Sequence, residues 1–181
     1  PEVVAPAEVA RRLNLRYANR SVRGQFFTLF YAVLDVPERR LRYVSAGHPG
    51  PVVVRPEGDP EVLTATAPPL GIQARIPLEE RSIGLAPGDR FYVYSDGLTE
   101  ARNAGRDLFG IERLAGYLGE MRGVPLDETL DRLLHRVTSF VGPREFADDV
   151  SCLALEVRRT GPATEGAGGD APAAGSAPPT E

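Results

Sequence analysis

The segment Phe91-Tyr-Val-Tyr-Ser-Asp-Gly-Leu-Thr-Glu100 decides how the rest of this sequence can be arranged. Its apolar and aromatic run followed by Ser-Asp-Gly predicts a buried strand that delivers one carboxylate, Asp96, to its C-terminal end. A second acidic signal, Ala147-Asp-Asp-Val150, leads directly into another apolar run, Cys152–Val157. If the two strands are neighbours, Asp96 and Asp148 meet at one edge of a sheet.

Two carboxylates at such a short separation indicate a divalent-metal site. They repel each other unless a cation lies between them, and hard divalent metals prefer oxygen ligands of this kind. The ordinary structural interpretation stays open, because Asp-Gly after a strand is a common turn. Asp-Asp before a strand is likewise commonly a solvated turn or a helix-end acid. Spacing alone does not separate the two interpretations.

Four motifs in a fixed order resemble one known family. They are Arg42-Tyr-Val-Ser-Ala-Gly-His-Pro-Gly-Pro51, Pro68-Pro-Leu-Gly71, Tyr94-Ser-Asp-Gly-Leu-Thr-Glu-Ala-Arg-Asn103 and Asp148-Asp-Val-Ser-Cys-Leu153. Over about residues 6–158 the chain is similar to the metal-dependent (PPM-type) protein serine/threonine phosphatases, in their bacterial SpoIIE-like branch. The resemblance implies an α-β-β-α layered sandwich and a hydrolase acting on phosphoserine or phosphothreonine.

The resemblance also implies which residues bind metal. Asp96 and Asp148 match ligands of one of two Mn²⁺ or Mg²⁺ ions, and in an intact member these two metals activate the water that attacks phosphorus. Asp149 adjoins the second ligand, so the assignment between these adjacent acids stays open; its ordinary role is to cap or hydrogen-bond the turn. Gly97, directly after the first ligand, is a candidate for supporting the site. No side chain other than the metal ligands is predicted to be catalytic.

Two more residues are candidates for the surroundings of the metals. Glu100 resembles an acidic position that holds metal-bound water or an additional weak metal, and its alternative role is an N-terminal acid on a helix beginning near Leu98. His48 follows a strand in Ala-Gly-His-Pro-Gly, where a histidine commonly stabilises a turn or lies at the surface. Many eukaryotic relatives have an acid at the position of His48, and histidine is usual in this bacterial branch, which disfavours direct ligation.

The chain departs from the family near its start. Members carry an upstream Asp-x-x-Gly-His-Gly element, whose Asp bridges both metals, some tens of residues before a Pro-Ala-Glu-Val helix. Here that helix sequence is Pro6–Val9, no Asp precedes Asp35, and the first residue is not Met. We therefore interpret the sequence as an N-terminally incomplete phosphatase domain, from a truncated chain, an incomplete gene prediction or a degenerate copy. A missing segment or sensor domain is implied, and we expect the chain alone to have little or no activity and at most one partly formed metal site.

The same resemblance implies a signalling partner. The expected substrate is a phosphoprotein, commonly an anti-sigma-factor antagonist in a partner-switching pathway of bacterial sigma-factor regulation. Two alternatives stay open: a catalytically inactive module that binds a signalling partner, and a fragment that cannot fold alone because an exposed sheet edge awaits the missing segment. Homodimer formation is also left open.

Composition bounds the remaining function classes. The 181 residues, 42% of them hydrophobic, predict one domain over residues 1–159. A net charge of −4 argues against nucleic-acid or anionic-membrane surfaces. The single cysteine, Cys152, excludes an intrachain disulfide and fits a cytoplasmic location. No apolar run is long enough to span a membrane. Residues 160–181 contain no large apolar side chain and predict a disordered tail.

The apolar patterns predict an α+β protein. We expect a buried strand over residues 25–36 and an alternating strand over 41–44, with a third strand over 52–55 hairpinned on the second. An amphipathic helix over residues 6–20 has Val9, Leu13 and Tyr17 on one face. The remaining predicted elements are short strands near 61–65 and 79–84, the strand 91–94, two helices over about 111–121 and 126–141, and a last strand over 150–158.

Overall fold

The helices and strands are those of a computed structural model that describes residues 4–18 and 25–158. The predicted tail, residues 160–181, and the last two residues of the predicted first helix lie outside these ranges. None of the described helices is long and apolar enough to cross a membrane. In chain order the elements are α1 (Pro6–Ala18), β1 (Leu29–Asp35), β2 (Arg40–Ala46), β3 (Val52–Val54), β4 (Glu61–Val62), β5 (Arg81–Gly84), β6 (Arg90–Tyr94), α2 (Asp96–Thr99), α3 (Ile111–Glu120), α4 (Leu126–Val141) and β7 (Cys152–Glu156).

Two antiparallel sheets form the centre of the protein, with strand orders β1-β2-β5 and β4-β3-β6-β7. Successive side chains of a strand point to opposite faces, so each sheet borders two different cores. On β2, Leu41 and Tyr43 face the core between the sheets, whereas Val44 and Ala46 pack with Ala10 of α1. The first sheet therefore lies between α1 and the second sheet.

Strand β6 shows the same alternation on the second sheet. Phe91 packs against Val53 in the core between the sheets, while Tyr92 and Tyr94 are buried in a third core that contains residues of α3 and α4. A strand covered on both faces has no solvated side, which explains why its apolar run lacks polar interruptions. The layers run α1, first sheet, second sheet, α3 with α4. The predicted α-β-β-α sandwich is confirmed.

Two predicted strand environments are wrong. The strand at 52–55 does not form a hairpin with β2; β3 pairs with β4 and β6 in the other sheet. The connecting His48-Pro-Gly-Pro51 contains two prolines, which cannot donate to a ladder, and it carries the chain from one sheet to the other. Strand β1 is an edge strand among the described residues, so its side chains are at most partly buried rather than covered on both faces.

Helix α1 buries a different face from the predicted one. Its buried residues are Pro6, Ala10 and Asn14, rather than Val9, Leu13 and Tyr17. Asn14 donates to the carbonyl oxygens of Gln73 at 2.9 Å and Ala74 at 3.2 Å, and its own oxygen accepts the Gly71 N–H at 2.9 Å. This buried amide is hydrogen-bonded through both its oxygen and its nitrogen, so it fixes the loop after Pro68-Pro-Leu-Gly71 on the helix.

A buried arginine joins the helical layer to the second sheet. Arg90, only 6% exposed, forms an ion pair with Glu156 of β7 at 2.8 Å. Its guanidinium also donates to the carbonyl oxygens of Met121 at 3.0 Å and Val124 at 2.6 Å, in the connection between α3 and α4. These carbonyls follow the end of α3, and the arginine adds a charged donor to the bonds that they accept from the Val124 N–H and the Thr129 hydroxyl.

We expect Arg90→Met to destabilise the protein strongly, because it removes the buried ion-pair partner of Glu156 and the charged donor to the Met121 and Val124 carbonyl oxygens. The expected loss is about 3 kcal/mol in the free energy of unfolding, measured by urea denaturation. The matched control is Arg132→Met, which removes an exposed ion pair with Glu128 on α4 and should cost no more than about 0.5 kcal/mol. Equal losses of unfolding free energy in the two variants would show that the buried Arg90 network stabilises the protein no more than an exposed ion pair does.

Candidate metal centre

The two acidic motifs meet where β6 and β7 pair. Tyr94 at the end of β6 lies opposite Cys152 at the start of β7, so the residues after one run beside the residues before the other. Ser95 joins them: its N–H donates to the Ser151 carbonyl at 3.0 Å and its hydroxyl donates to the Asp149 carbonyl at 2.8 Å. The same hydroxyl accepts the Ser151 N–H at 2.9 Å. We call this contact between residues 95–97 and 148–151 the acidic junction.

Gly97 is the residue that allows the close approach. A Cβ atom at this buried position would lie 2.5 Å from the Asp149 carbonyl oxygen and 3.1 Å from its carbon. Such distances are well inside van der Waals contact, and the opposing atoms belong to backbone that cannot rotate away. Any side chain at position 97 would therefore push the two segments apart, which is the physical reason for glycine in Ser-Asp-Gly.

Asp96 and Asp148 are both exposed and lie on opposite segments of the acidic junction. One oxygen of Asp96 accepts the Gly97 N–H at 3.0 Å, and one oxygen of Asp148 accepts the Asp149 N–H at 2.7 Å. Within residues 4–18 and 25–158, the second oxygen of each carboxylate has no hydrogen-bond or ion-pair partner. Each group thus keeps an oxygen that can bind a cation or water.

Two further acids belong to this region: Glu100 lies beside the acidic junction, and Asp149 lies within it. Helix α2 begins at Asp96 rather than near Leu98, so Glu100 follows the end of the helix, where its N–H donates to the Asp96 carbonyl at 2.8 Å. The alternative role of Glu100 as an N-terminal acid is therefore wrong, because the short helix starts earlier than its apolar residue suggests. Asp149 takes part in the turn through its carbonyl, and its carboxylate is exposed.

The loop that carries His48 borders the end of β6 on its other side. Strand β3 pairs with β6, and the Tyr94 hydroxyl donates to the Gly50 carbonyl at 2.8 Å. His48 Nδ1 lies 2.9 Å from the Pro49 carbonyl, which can only accept, so Nδ1 carries the hydrogen and Nε2 has none in the neutral ring. The His48 carbonyl also accepts the Ser45 hydroxyl at 3.0 Å. These bonds favour the turn-stabilising interpretation of His48.

The carboxylates are the charged groups of this region. Burial raises the pKa of Tyr94 to about 12 and that of Cys152 to about 11, so both side chains stay neutral at physiological pH. Among the described arginines, none forms an ion pair with Asp96, Glu100, Asp148 or Asp149. The region is consequently an unneutralised acidic surface, and a cation bound there would lower its electrostatic free energy.

The carboxylate oxygens of this region are the ligand type that a hard divalent cation prefers, but they are few. Carboxylate oxygens suit Mn²⁺ and Mg²⁺, and Mg²⁺ in particular is commonly held by one or two carboxylates with water completing its shell. Nowhere in the part of the chain that the structure describes do three or more His, Cys, Asp or Glu side chains converge as a metal-binding group. The Asp96 and Asp148 carboxylates are thus of the ligand type that such a cation prefers, and water would have to supply most of its remaining ligands.

The sequence argument missed the two hydroxyls that assemble this region. Ser95 links the segments, and Tyr94 links β6 to the loop of Gly50. A partial signal was present for the first of them, because a serine lies close to the acids of both motifs: Ser95 directly precedes Asp96, and Ser151 follows Asp149 after one intervening residue. The tyrosine contact joins residues 44 positions apart and left no local pattern.

Comparisons of the sequence with curated proteins find relatives that match part of their length. The chain is 34% identical over 132 residues to protein IcfG of Synechocystis, which covers 73% of this chain and 21% of that protein. It is 28% identical over 93 residues to the phosphoserine phosphatase RsbP of Bacillus subtilis, covering 51% of this chain and 23% of the relative. The chain therefore spans less than a quarter of the length of these two curated relatives.

Solved structures support the same fold. The SiaA-PP2C domain of Pseudomonas aeruginosa superimposes with a TM-score of 0.74 at 21% identity, covering 84% of this chain and 61% of that one. The model of the stage II sporulation protein E (SpoIIE) family matches residues 2–158, nearly all of the described chain. With its layered fold and its Asp96–Asp148 junction, the chain belongs to the SpoIIE family and resembles the PP2C-type serine/threonine phosphatases.

Proposed function

We propose that this chain forms part of a metal-dependent phosphatase that releases phosphate from phosphoserine or phosphothreonine in a regulatory protein. The observation that carries the proposal is the acidic junction, where Ser95 and Gly97 hold two exposed carboxylate-bearing segments against each other. The name of the relative RsbP, a phosphoserine phosphatase, supports the substrate class. In this proposal Asp96 and Asp148 hold a Mn²⁺ or Mg²⁺ ion.

An electrostatic argument supports the need for a cation. A phosphorylated side chain carries close to two negative charges at neutral pH, and the acidic junction presents three carboxylates, with Glu100 beside them as a fourth, that have no ion-pair partner among the described residues. Repulsion would keep the phosphate away from this surface. A divalent cation held by Asp96 and Asp148 would offset the charge of these two carboxylates, and the chemistry it would supply is neutralisation of phosphoryl oxygens and a lower pKa of bound water.

The side chains near the junction argue for water as the attacking group. Cys152 is the single cysteine, it is largely enclosed in the core beneath α4, and burial raises its pKa to about 11. A thiol in that state is a poor nucleophile, because the thiolate is the reactive form. The Ser95 hydroxyl donates to the Asp149 carbonyl and accepts the Ser151 N–H. Both residues therefore act in the structure of the site rather than in covalent catalysis.

The proposed substrate is an anti-sigma-factor antagonist or a similar phosphorylated signalling protein of the bacterial cytoplasm. The likeness to RsbP and to the other members of the family supports this assignment. A second candidate function, an inactive module that binds such a partner, is favoured by one observation: no group of three or more metal-ligating side chains converges in the described ranges. The experiments below distinguish a catalytic site from a module that only binds a partner.

The first experiment measures Mn²⁺-dependent phosphate release from a phosphoserine protein by the 181-residue chain and, if its gene encodes a longer protein, by that protein as well. We expect at most background rates for the 181-residue chain; in a form that turns over, Asp96→Asn and Asp148→Asn should each lower turnover at least about 100-fold. The control is Asp127→Asn, an exposed acid in the first turn of α4, which lies near Arg90 and Glu156 at the other end of β6 and β7. Unchanged turnover in both junction variants contradicts the proposed phosphatase site, and absence of turnover in every form tested favours the inactive module.

The second experiment measures Mn²⁺ binding by calorimetry in the 181-residue chain. We expect weak binding that drops at least about tenfold in Asp148→Asn, because a neutral amide is a poorer ligand for a hard cation than a carboxylate. Asp149→Asn is the matched control for the neighbouring acid and should keep most of the affinity. Equal affinity in Asp148→Asn and the unaltered chain would refute the ligand assignment.

The third experiment tests the close approach at Gly97. In Gly97→Val the new side chain collides with the Asp149 backbone, so we expect the two segments to separate and Mn²⁺ affinity to fall at least about tenfold. Gly116→Val is the control, since a Cβ at that exposed position meets nothing within 4 Å. Thermal unfolding of both variants distinguishes loss of the site from loss of the fold. A folded Gly97→Val protein with full affinity would show that this contact does not set the carboxylate geometry.

A further inference from the structure

The residues that follow α2 form a small hairpin with two exposed arginines. Arg102 pairs with Leu108 in an isolated antiparallel bridge, and Arg106 lies at the tip between them. Among the described residues neither arginine has a carboxylate partner; the Arg102 guanidinium donates instead to the Arg106 carbonyl at 3.1 Å. We call residues 101–109 the arginine hairpin.

The arginine hairpin begins beside the acidic junction. Helix α2 is a single turn that starts at Asp96, and its four residues correspond to about 5 Å of rise. The Gly110 N–H donates to the carbonyl of Thr99, the last residue of α2, at 2.9 Å. The Phe109 N–H donates to the Ala101 carbonyl at 2.8 Å. The base of the hairpin is therefore anchored about one helical turn from Asp96.

Hydrogen bonds hold the hairpin in one conformation. The Asn103 side chain accepts the Asp107 N–H at 2.9 Å and donates to the Asp107 carboxylate at 3.0 Å. The Arg106 N–H donates to the Asn103 carbonyl at 3.0 Å. Arg113 of α3 donates to the Leu108 carbonyl at 2.6 Å and so braces the hairpin against the helical layer. A surface that is fixed in this way loses little conformational entropy when it binds a partner.

Arg106 has a backbone conformation that an arginine disfavours. Its φ of +70° lies in the left-handed region, which glycine adopts without a steric cost. A glycine is present in the turn, but as Gly105, one position before the left-handed residue. Backbone strain of this kind is concentrated at binding and catalytic sites. The exposed charge of Arg106 therefore points to a role in binding.

We propose that the arginine hairpin binds acidic side chains that flank the phosphorylated residue of a protein substrate. This inference rests on the proposed phosphatase function and adds a sequence preference to it. With the phosphorylated residue at the acidic junction, a residue two positions away in an extended peptide lies about 7 Å further along. This distance is comparable with the offset of about one helical turn between Asp96 and the base of the hairpin.

The surrounding charges make the two arginines decisive for such a preference. The four carboxylates at and beside the acidic junction have no ion-pair partner among the described residues, so they repel an acidic side chain that approaches. A guanidinium can bind a carboxylate through two parallel hydrogen bonds. Arg102 and Arg106 thus supply attraction for acidic flanking residues next to a surface that otherwise repels them.

The test measures the affinity of the 181-residue chain for two phosphoserine peptides by fluorescence anisotropy in Mn²⁺. The peptides differ only at the positions two residues before and two residues after the phosphoserine, which are Glu in one peptide and Gln in the other. We expect the Glu peptide to bind at least about fivefold more tightly, with a preference that shrinks as salt screens the contact. Arg106→Gly and Arg102→Gln should each reduce the preference at least about threefold.

The variant Arg106→Gly separates binding from folding. Because glycine adopts a φ of +70° without strain, its midpoint of thermal unfolding should not fall below that of the unaltered chain. The matched control is Arg158→Gln, which changes an arginine whose side chain is 82% exposed. Arg158 follows β7 at the end remote from the acidic junction, so this variant should leave the preference unchanged.

The outcomes for the hairpin and for the metal site are distinguishable. Both peptides contain phosphoserine, so Asp148→Asn should weaken both, whereas loss of the hairpin contact changes the ratio of their affinities. Equal affinity for the two peptides in the unaltered chain overturns the proposal, as does failure to bind either peptide. A preference that persists in both folded hairpin variants also overturns it. An arginine-dependent preference with no effect of Asp148→Asn supports the hairpin contact and contradicts the metal-ligand assignment.

Discussion

The hydrogen bonds between Ser95 and the segment before β7 are the interaction on which the arrangement of this protein depends. They extend the β6–β7 pairing by one step beyond the last ladder residue and turn two remote acidic motifs into one surface. Each of the two segments then leaves the sheet in its own direction, one into α2 and the other back toward α4. Strand pairing fixes the relative position of these segments far more rigidly than loop contacts would.

The helices and strands could largely be predicted from the sequence, whereas the pairing of strands within the sheets could not. The unbroken apolar run of β6 predicts burial on both faces, and the apolar stripes of α3 and α4 predict helices that cover one sheet. Strand pairing depends on contacts between distant residues, so the same apolar pattern in β3 was compatible with either sheet. The burial of β1 was overestimated for a related reason: its composition resembles a central strand, but its position at an edge is a property of the whole sheet.

The candidate site was also predictable only in part: its acidic residues could be predicted from motifs, and its three-dimensional contacts could not. The carboxylates of Asp96 and Asp148 follow from motifs, since both acids adjoin strands whose apolar runs are evident. The glycine contact, the serine bridge and the early start of α2 are matters of three-dimensional distance, which composition does not encode. Arg90 illustrates the limit most clearly, because an arginine at the start of an apolar strand gives no hint that it is 6% exposed and hydrogen-bonded across the helical layer.

The bond from the Tyr94 hydroxyl to the Gly50 carbonyl has a consequence for alkaline solutions. The ordinary pKa of the tyrosine hydroxyl is 10.0, and burial raises the pKa of Tyr94 to about 12 in the folded chain. In the window between these values the unfolded chain loses the phenolic proton while the folded chain keeps it. The contribution of Tyr94 to folding is thus complete below pH 10 and declines as the pH rises toward 12. Within that window the Tyr94 hydroxyl keeps its proton in the folded chain, so the loop that bears His48 stays hydrogen-bonded to β6 for as long as the protein is folded.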